Sequence, residues 1–243
     1  MIASQALGNR ALSGLRVSTA LIGLAVPIST ALDNVLLAIV LLGVFFNAPT
    51  LWKIVVSHPV ARAASLLFGA LMLAILYGAT PMSTALGVLG KYVDLAFVPL
   101  FILLFSVAKT RGWAFNLFMA AMGATLFFSY LLGWHLISVQ AWMSNQGSAA
   151  NPVIFHSHIT QNNMMAFAAF VALLRGRDAL QAKFRMAWWA YAALAIINVL
   201  FMVQGRTGYV ILLVLMGYFA WTSLARYAKQ RGKIWGWQQG LAV

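Results

Sequence analysis

Seven apolar runs, at residues 17–46, 63–79, 91–107, 112–134, 159–174, 186–204 and 208–224, dominate the chain. A helix needs about 20 apolar residues to cross a hydrocarbon core. Inside that core the backbone polar groups have to be bonded within the protein itself. Runs of this length and density point to one architecture, an all-α, polytopic transmembrane helical bundle. Composition agrees: 63% of the residues are hydrophobic and 8% are charged, against about 25% charged in a soluble domain. No interval between the runs is long enough for an independent domain, so the expectation is a single transmembrane domain over residues 1–243.

The first run is too long for one crossing and is interrupted by PISTALDN, residues 27–34. Pro27, Ser29, Thr30, Asp33 and Asn34 are turn and capping chemistry, which suits either one bent helix or two short ones. The basic residues decide between them. With two helices and a cytoplasmic N-terminus, Arg10, Arg16, Lys53, Arg62, Lys109, Arg111, Arg175, Arg177, Lys183, Arg185, Arg226, Lys229, Arg231 and Lys233 all fall inside. These are fourteen of the sixteen Lys and Arg, as the positive-inside rule requires. A single first helix destroys that asymmetry. The expected topology therefore has about eight spans. The apolar IWGWQQGLAV, residues 234–243, resembles the start of a ninth, and the chain reads as the N-terminal part of a longer protein. Arg10 and Arg16 lead into polytopic sequence, so the first run is a membrane helix and not a cleaved signal.

Several functions are excluded by what surrounds the charges. The net charge of +13 is distributed in small clusters between apolar runs. That layout serves topology and contact with anionic membrane lipids, and no nucleic-acid partner is expected. The acids are Asp33, Asp94 and Asp178, and glutamate and cysteine are absent. A carboxylate-pair mechanism, a hard-cation site and thiolate chemistry are therefore not expected.

Two basic residues fall on the outer side, Lys91 and Arg206, in the company of Asp33, Asp94, His135, His156 and His158. Arg206 stands in VQGRTGYV, residues 203–210. A guanidinium is a planar fork of five donors that matches phosphate oxygens. Gly205 and Gly208 would let the backbone turn and a bulky ligand approach, and Thr207 would cap the helix that follows. The competing reading is an arginine that snorkels at a helix end or pairs with Asp33 or Asp94. Lys91, in GKYVDL, is a second candidate ligand cation, or an interfacial anchor beside Tyr92.

NPVIFHSHITQNNMMAF, residues 151–167, is the other dense polar patch. His156 and His158 lack a third metal ligand, so no metal is expected there. The run Thr160, Gln161, Asn162 and Asn163 opens a helix, either at headgroup depth or as the lining of a sugar–phosphate site. The uncharged loop 135–157 before it reads as a lid or an interfacial segment.

Taken in order, PISTALDN, GKYVDLAFVPLFI, FHSHITQNNMMAF and QGRTGYVILL resemble the N-terminal part of the bacterial O-antigen ligases. Their superfamily also holds the O-antigen polymerases and the protein O-oligosaccharyltransferases. The similarity is a diffuse pattern over essentially the whole chain, and its most specific element is RTG at a helix start. The resemblance implies a glycosyl transfer at the periplasmic face of the bacterial inner membrane. Polysaccharide on undecaprenyl pyrophosphate passes to a sugar of the lipid A–core acceptor, with no metal, nucleotide or other cofactor. By the same resemblance, Arg206 matches a catalytic arginine that engages the pyrophosphate. Lys91, His156, His158, Gln161 and Thr207 would be its substrate-binding neighbours. The family's catalytic histidine belongs to a periplasmic loop of the C-terminal half, a role that His156 and His158 do not fill. From a different class, a lipid-linked oligosaccharide flippase or transporter is the alternative, although the repeats common in transporters are not evident.

Overall fold

A computed structural model of the protein describes residues 2–45, 48–78 and 80–230. The apolar tail 234–243, together with Arg231 and Lys233, lies outside the described residues. Each expected run within them is helical. In chain order the elements are α1 (Ile2–Ile28), α2 (Thr30–Phe45), α3 (Ala48–Ser57), α4 (Pro59–Tyr77), α5 (Met82–Gly90), α6 (Asp94–Phe105), α7 (Ala108–Gly133), α8 (His158–Asp178), α9 (Ala182–Ile197) and α10 (Arg206–Gln230). A π-helical turn, Asn198–Met202, continues α9. The described residues contain no strand, and one isolated bridge joins Ser148 to Asn151.

Among the described residues, five stretches are long and apolar enough to cross a bilayer: Pro59–Tyr77, Met82–Phe105, Ala108–Gly133, Ala182–Met202 and Arg206–Lys229. The apolar parts of α1 and α2 are shorter, Gly14–Ile28 and Thr30–Leu42. The chain is a multi-pass helical membrane protein. The break expected at PISTALDN occurs at Ser29, where α1 ends and α2 begins. Pro27 in the last turn of α1 has no N–H for the helical ladder and crowds the turn before it.

Two elements differ from the sequence-based expectation. The ten-residue α3 occupies what reads as a loop around Lys53. The run placed at 91–107 begins earlier, at Met82, and is divided by a turn at Lys91–Val93. Lys91 marks this break rather than the end of a span.

The chain forms two compact units, Met1–Val26 with Thr30–Phe118, and Met119–Val243 with Pro27–Ser29. In the first, Leu15, Ile22 and Ala25 share an apolar cluster with Leu36, Val40, Leu100 and Leu104. Gly23 meets the backbone carbonyl of Ala114 so closely that a side chain has no room. In the second unit α8 packs against both α9 and α10. Its polar opening and basic end make it less apolar than the five stretches above, yet Met165, Ala166, Ala168, Ala169 and Ala172 are buried. Small residues of this kind let helix backbones approach closely in a membrane protein, and Gly176 lies directly under the Trp189 ring.

Candidate functional site

The loop between α7 and α8 folds back onto the helix ends and is held by buried hydrogen bonds. Pro152, which has no N–H of its own, offers its carbonyl to two donors: Ser129 Oγ at 2.8 Å and Gln161 Nε2 at 3.1 Å. Ser129 in turn accepts from Asn198 Nδ2 at 2.8 Å, which links the π-helical turn to the loop. Gln161 Oε1 accepts the Ile154 N–H at 2.8 Å. Asn151 Oδ1 accepts the Gln204 N–H at 3.0 Å, tying the loop to the junction between α9 and α10. Trp142 packs edge-on against Phe128 and tilts against Phe155, and those two phenylalanines pack on the buried cluster of Leu132, Met143 and Ile154. The inner stretch of the loop, residues 151–154, is thus anchored to α7, α8 and the junction between α9 and α10.

Where the loop enters α8, Ser157 is the N-cap, and its hydroxyl accepts the Thr160 N–H at 3.3 Å. His158 is the first helical residue. Its Nδ1 lies 3.2 Å from Gln146 Oε1. An amide oxygen only accepts, so Nδ1 is the donor in this contact. Gln146 is the orienting partner that sequence reasoning missed.

Beside His158 lies the start of α10. The helix begins at Arg206 itself, so Thr207 sits inside its first turn and is not the cap expected for it. Arg206 and Thr207 are exposed, and among the described residues no ion pair involves Arg206. An open groove of about 490 Å³ is lined by His158, Ile159, Gln204, Gly205, Arg206, Thr207 and Tyr209. The N-terminal ends of two helices, α8 and α10, therefore border one groove that also holds a guanidinium. Each such end has positive dipole character, although at α8 the Thr160 and His158 N–H groups already have acceptors in Ser157 Oγ and Gln146 Oε1.

The glycines beside the arginine serve a different purpose from the one expected. A Cβ on Gly205 would lie 2.6 Å from Asn162 Nδ2, and one on Gly208 would lie 2.7 Å from Asn162 Cγ. Asn162 is 0% exposed, and its amide donates to the carbonyls of Val203 at 3.3 Å and Gly205 at 3.0 Å. The glycines make room for the asparagine of α8, not for a ligand. The π-helical turn just before them closes with Val203 N–H to Asn198 O at 3.0 Å, which aims the Val203 carbonyl at Asn162.

The expected site residues thus separate. His158, Arg206 and Thr207 share the groove. Gln161, 2% exposed, has both ends of its amide occupied by loop backbone, which makes it a loop anchor. His156 is half-buried, with Nε2 enclosed and unbonded, and it does not line the groove. Lys91 is exposed at the turn between α5 and α6 of the first unit. Its neighbour Tyr92 lines a small cavity of about 180 Å³ with Leu71, Ile75 and Val88. Compared with family models, with curated proteins and with solved structures, the chain matches none.

Proposed function

We propose that the chain binds the glycan donor of a membrane glycosyltransferase of the O-antigen ligase type, acting at the periplasmic face of the bacterial inner membrane. One observation carries the reading, the placement of Arg206. A cation at a helix N-terminus opposes the macrodipole, at a cost of about 0.3–1 kcal/mol. Arg206 occupies that position on α10, exposed and without a carboxylate partner among the described residues. An anion in the groove would reverse the sign of both effects, since guanidinium and helix end then attract it together. The pyrophosphate of a polyprenyl-linked polysaccharide is such an anion, carried at headgroup depth on an apolar tail.

In this reading Arg206 and the first N–H groups of α10 neutralise the charge that builds on the departing pyrophosphate as the acceptor hydroxyl attacks. His158, held by Gln146, and Thr207 border the same phosphates. The acceptor is a sugar of the lipid A–core, and the proton of its hydroxyl leaves to a base supplied elsewhere. The polymerase and protein-glycosylating members of the superfamily share this donor and differ in acceptor. Arg206→Ala should lower transfer by on the order of 10²–10³-fold, the usual effect of removing one donor from a charge-stabilising site. Arg206→Lys should be milder, because a point charge keeps the attraction and loses the fork. Normal lipopolysaccharide ladders from a cell carrying well-expressed Arg206→Ala would remove the basis of the assignment.

A further inference from the structure

The opposite end of the second unit carries a different groove, of about 420 Å³, between the C-terminal ends of α8 and α10. Its walls change character along α10. Tyr218 and Trp221 come first, facing Leu174 of α8, and Arg226 and Lys229 follow on the same face about two turns later. Arg177 of α8 forms the floor and is rigidly held. Its Nη1 donates to Thr222 Oγ1 at 3.1 Å and Ser223 Oγ at 3.3 Å, and its Nε to Asp178 Oδ1 at 3.2 Å. Its guanidinium also lies 5.5 Å from the centre of the Phe219 ring. Arg226 reaches Asp178 Oδ1 at 2.7 Å. Two cations, Arg177 and Arg226, thus share one carboxylate while Lys229 has no ion pair among the described residues, and the groove keeps net positive charge at its basic end.

We propose that this groove binds an anionic phospholipid. Arg226 and Lys229 hold the phosphate, and the glycerol and upper acyl chain lie along Leu174, Tyr218 and Trp221. Arg177 and Asp178 are the brace that fixes Arg226 at the rim. An aromatic pair about two turns from a basic pair matches the depth profile of a bilayer interface, where aromatic rings sit at the membrane–water boundary and cations reach out to the phosphates. A free phosphate would use only the basic end and leave the apolar wall without a role. The proposal depends on α8 and α10 alone and is independent of the glycosyl-transfer reading.

The test places the intact protein in phosphatidylcholine nanodiscs. These contain a minor fraction of lipid with acyl chains brominated near the headgroup, either phosphatidylglycerol or phosphatidylcholine. Bromine quenches tryptophan on contact, and the difference between the unmodified protein and Trp221→Phe isolates Trp221. Brominated phosphatidylglycerol should quench Trp221 at lower mole fraction than brominated phosphatidylcholine. Each cation at the membrane surface is worth about a fivefold preference for anionic lipid. Lys229→Gln, which breaks no ion pair, should therefore reduce the preference about fivefold, and the Arg226→Gln/Lys229→Gln double variant should abolish it. Equal quenching by the two lipids, or a preference undiminished in Lys229→Gln, overturns the proposal. Relief of the quenching by millimolar inorganic phosphate also overturns it, in favour of a free-phosphate site.

Discussion

Gly208→Ala adds one methyl group to the first turns of α10. That methyl would lie 2.7 Å from Asn162 Cγ, 2.8 Å from its Nδ2 and 2.9 Å from its Cβ. A rotamer change clears the first two contacts, but the third involves the atom attached to the α8 backbone, so the helices have to separate. Overpacking of this kind costs about 1–3 kcal/mol. Displacing the Asn162 amide from Val203 O and Gly205 O adds about 0.5–1.5 kcal/mol for each hydrogen bond lost. Against this, alanine gains about 1 kcal/mol of helix propensity over glycine. The net expectation is a loss of about 1–5 kcal/mol, or several degrees in unfolding midpoint at roughly 2–4 °C per kcal/mol for a chain of this size. Gly217→Ala is the control on the same helix, since nothing lies within 4 Å of its Cβ, and it should be neutral or stabilising by up to about 1 kcal/mol. Intrinsic tryptophan fluorescence during heating in detergent reports both variants. If Gly208→Ala melts at or above the parent temperature, the close fit of Asn162 against α10 is refuted. Glycine would then be present for ligand approach, and the variant should lose donor binding alone.

Further outcomes follow from the same structure. The chain has no cysteine, so Arg206→Cys and Arg226→Cys report topology directly. An impermeant maleimide should label position 206 from the periplasm and position 226 from the cytoplasm, and labelling of both from one side would defeat α10 as a span. Gln161→Ala should destabilise by about 1–3 kcal/mol, because the buried Ile154 N–H loses its acceptor; susceptibility of the loop to proteolysis measures it. Burial pushes the Asp178 carboxyl up, but hydrogen bonds from Arg226 and Arg177 outweigh it and hold the group below the ordinary carboxylate range. A carboxyl depressed in the folded state stabilises the protein above its unfolded pKa of about 4. That stability disappears as pH falls through the lower folded value. The effect should be small, since the side chain is half exposed, and Asp178→Asn should flatten the fall in melting temperature between about pH 5 and 3.

The helices themselves were legible because the bilayer imposes a length and forbids unpaired backbone, and 20-residue apolar runs satisfy both conditions locally. The break at PISTALDN was legible too, from a proline and a cluster of capping residues. α3 and α5 were not, because Lys53 and Lys91 read as boundaries, whereas a helix tolerates a lysine at a turn or an exposed face. Polarity misled most at Gln161 and Asn162. A polar first turn looks like a surface or a ligand lining, and only the neighbours decide which. Here the carbonyls of Pro152, Val203 and Gly205 occupy those amides. The sequence by itself determined that the chain is a helical membrane protein with an arginine at the start of its last described helix. Tertiary structure decided what surrounds that arginine, because both Asn162 against its glycines and His158 beside its groove arrive from α8. Which atom fills a glycine's empty space, and which polar groups meet, depends on a second helix that no local pattern in the first describes.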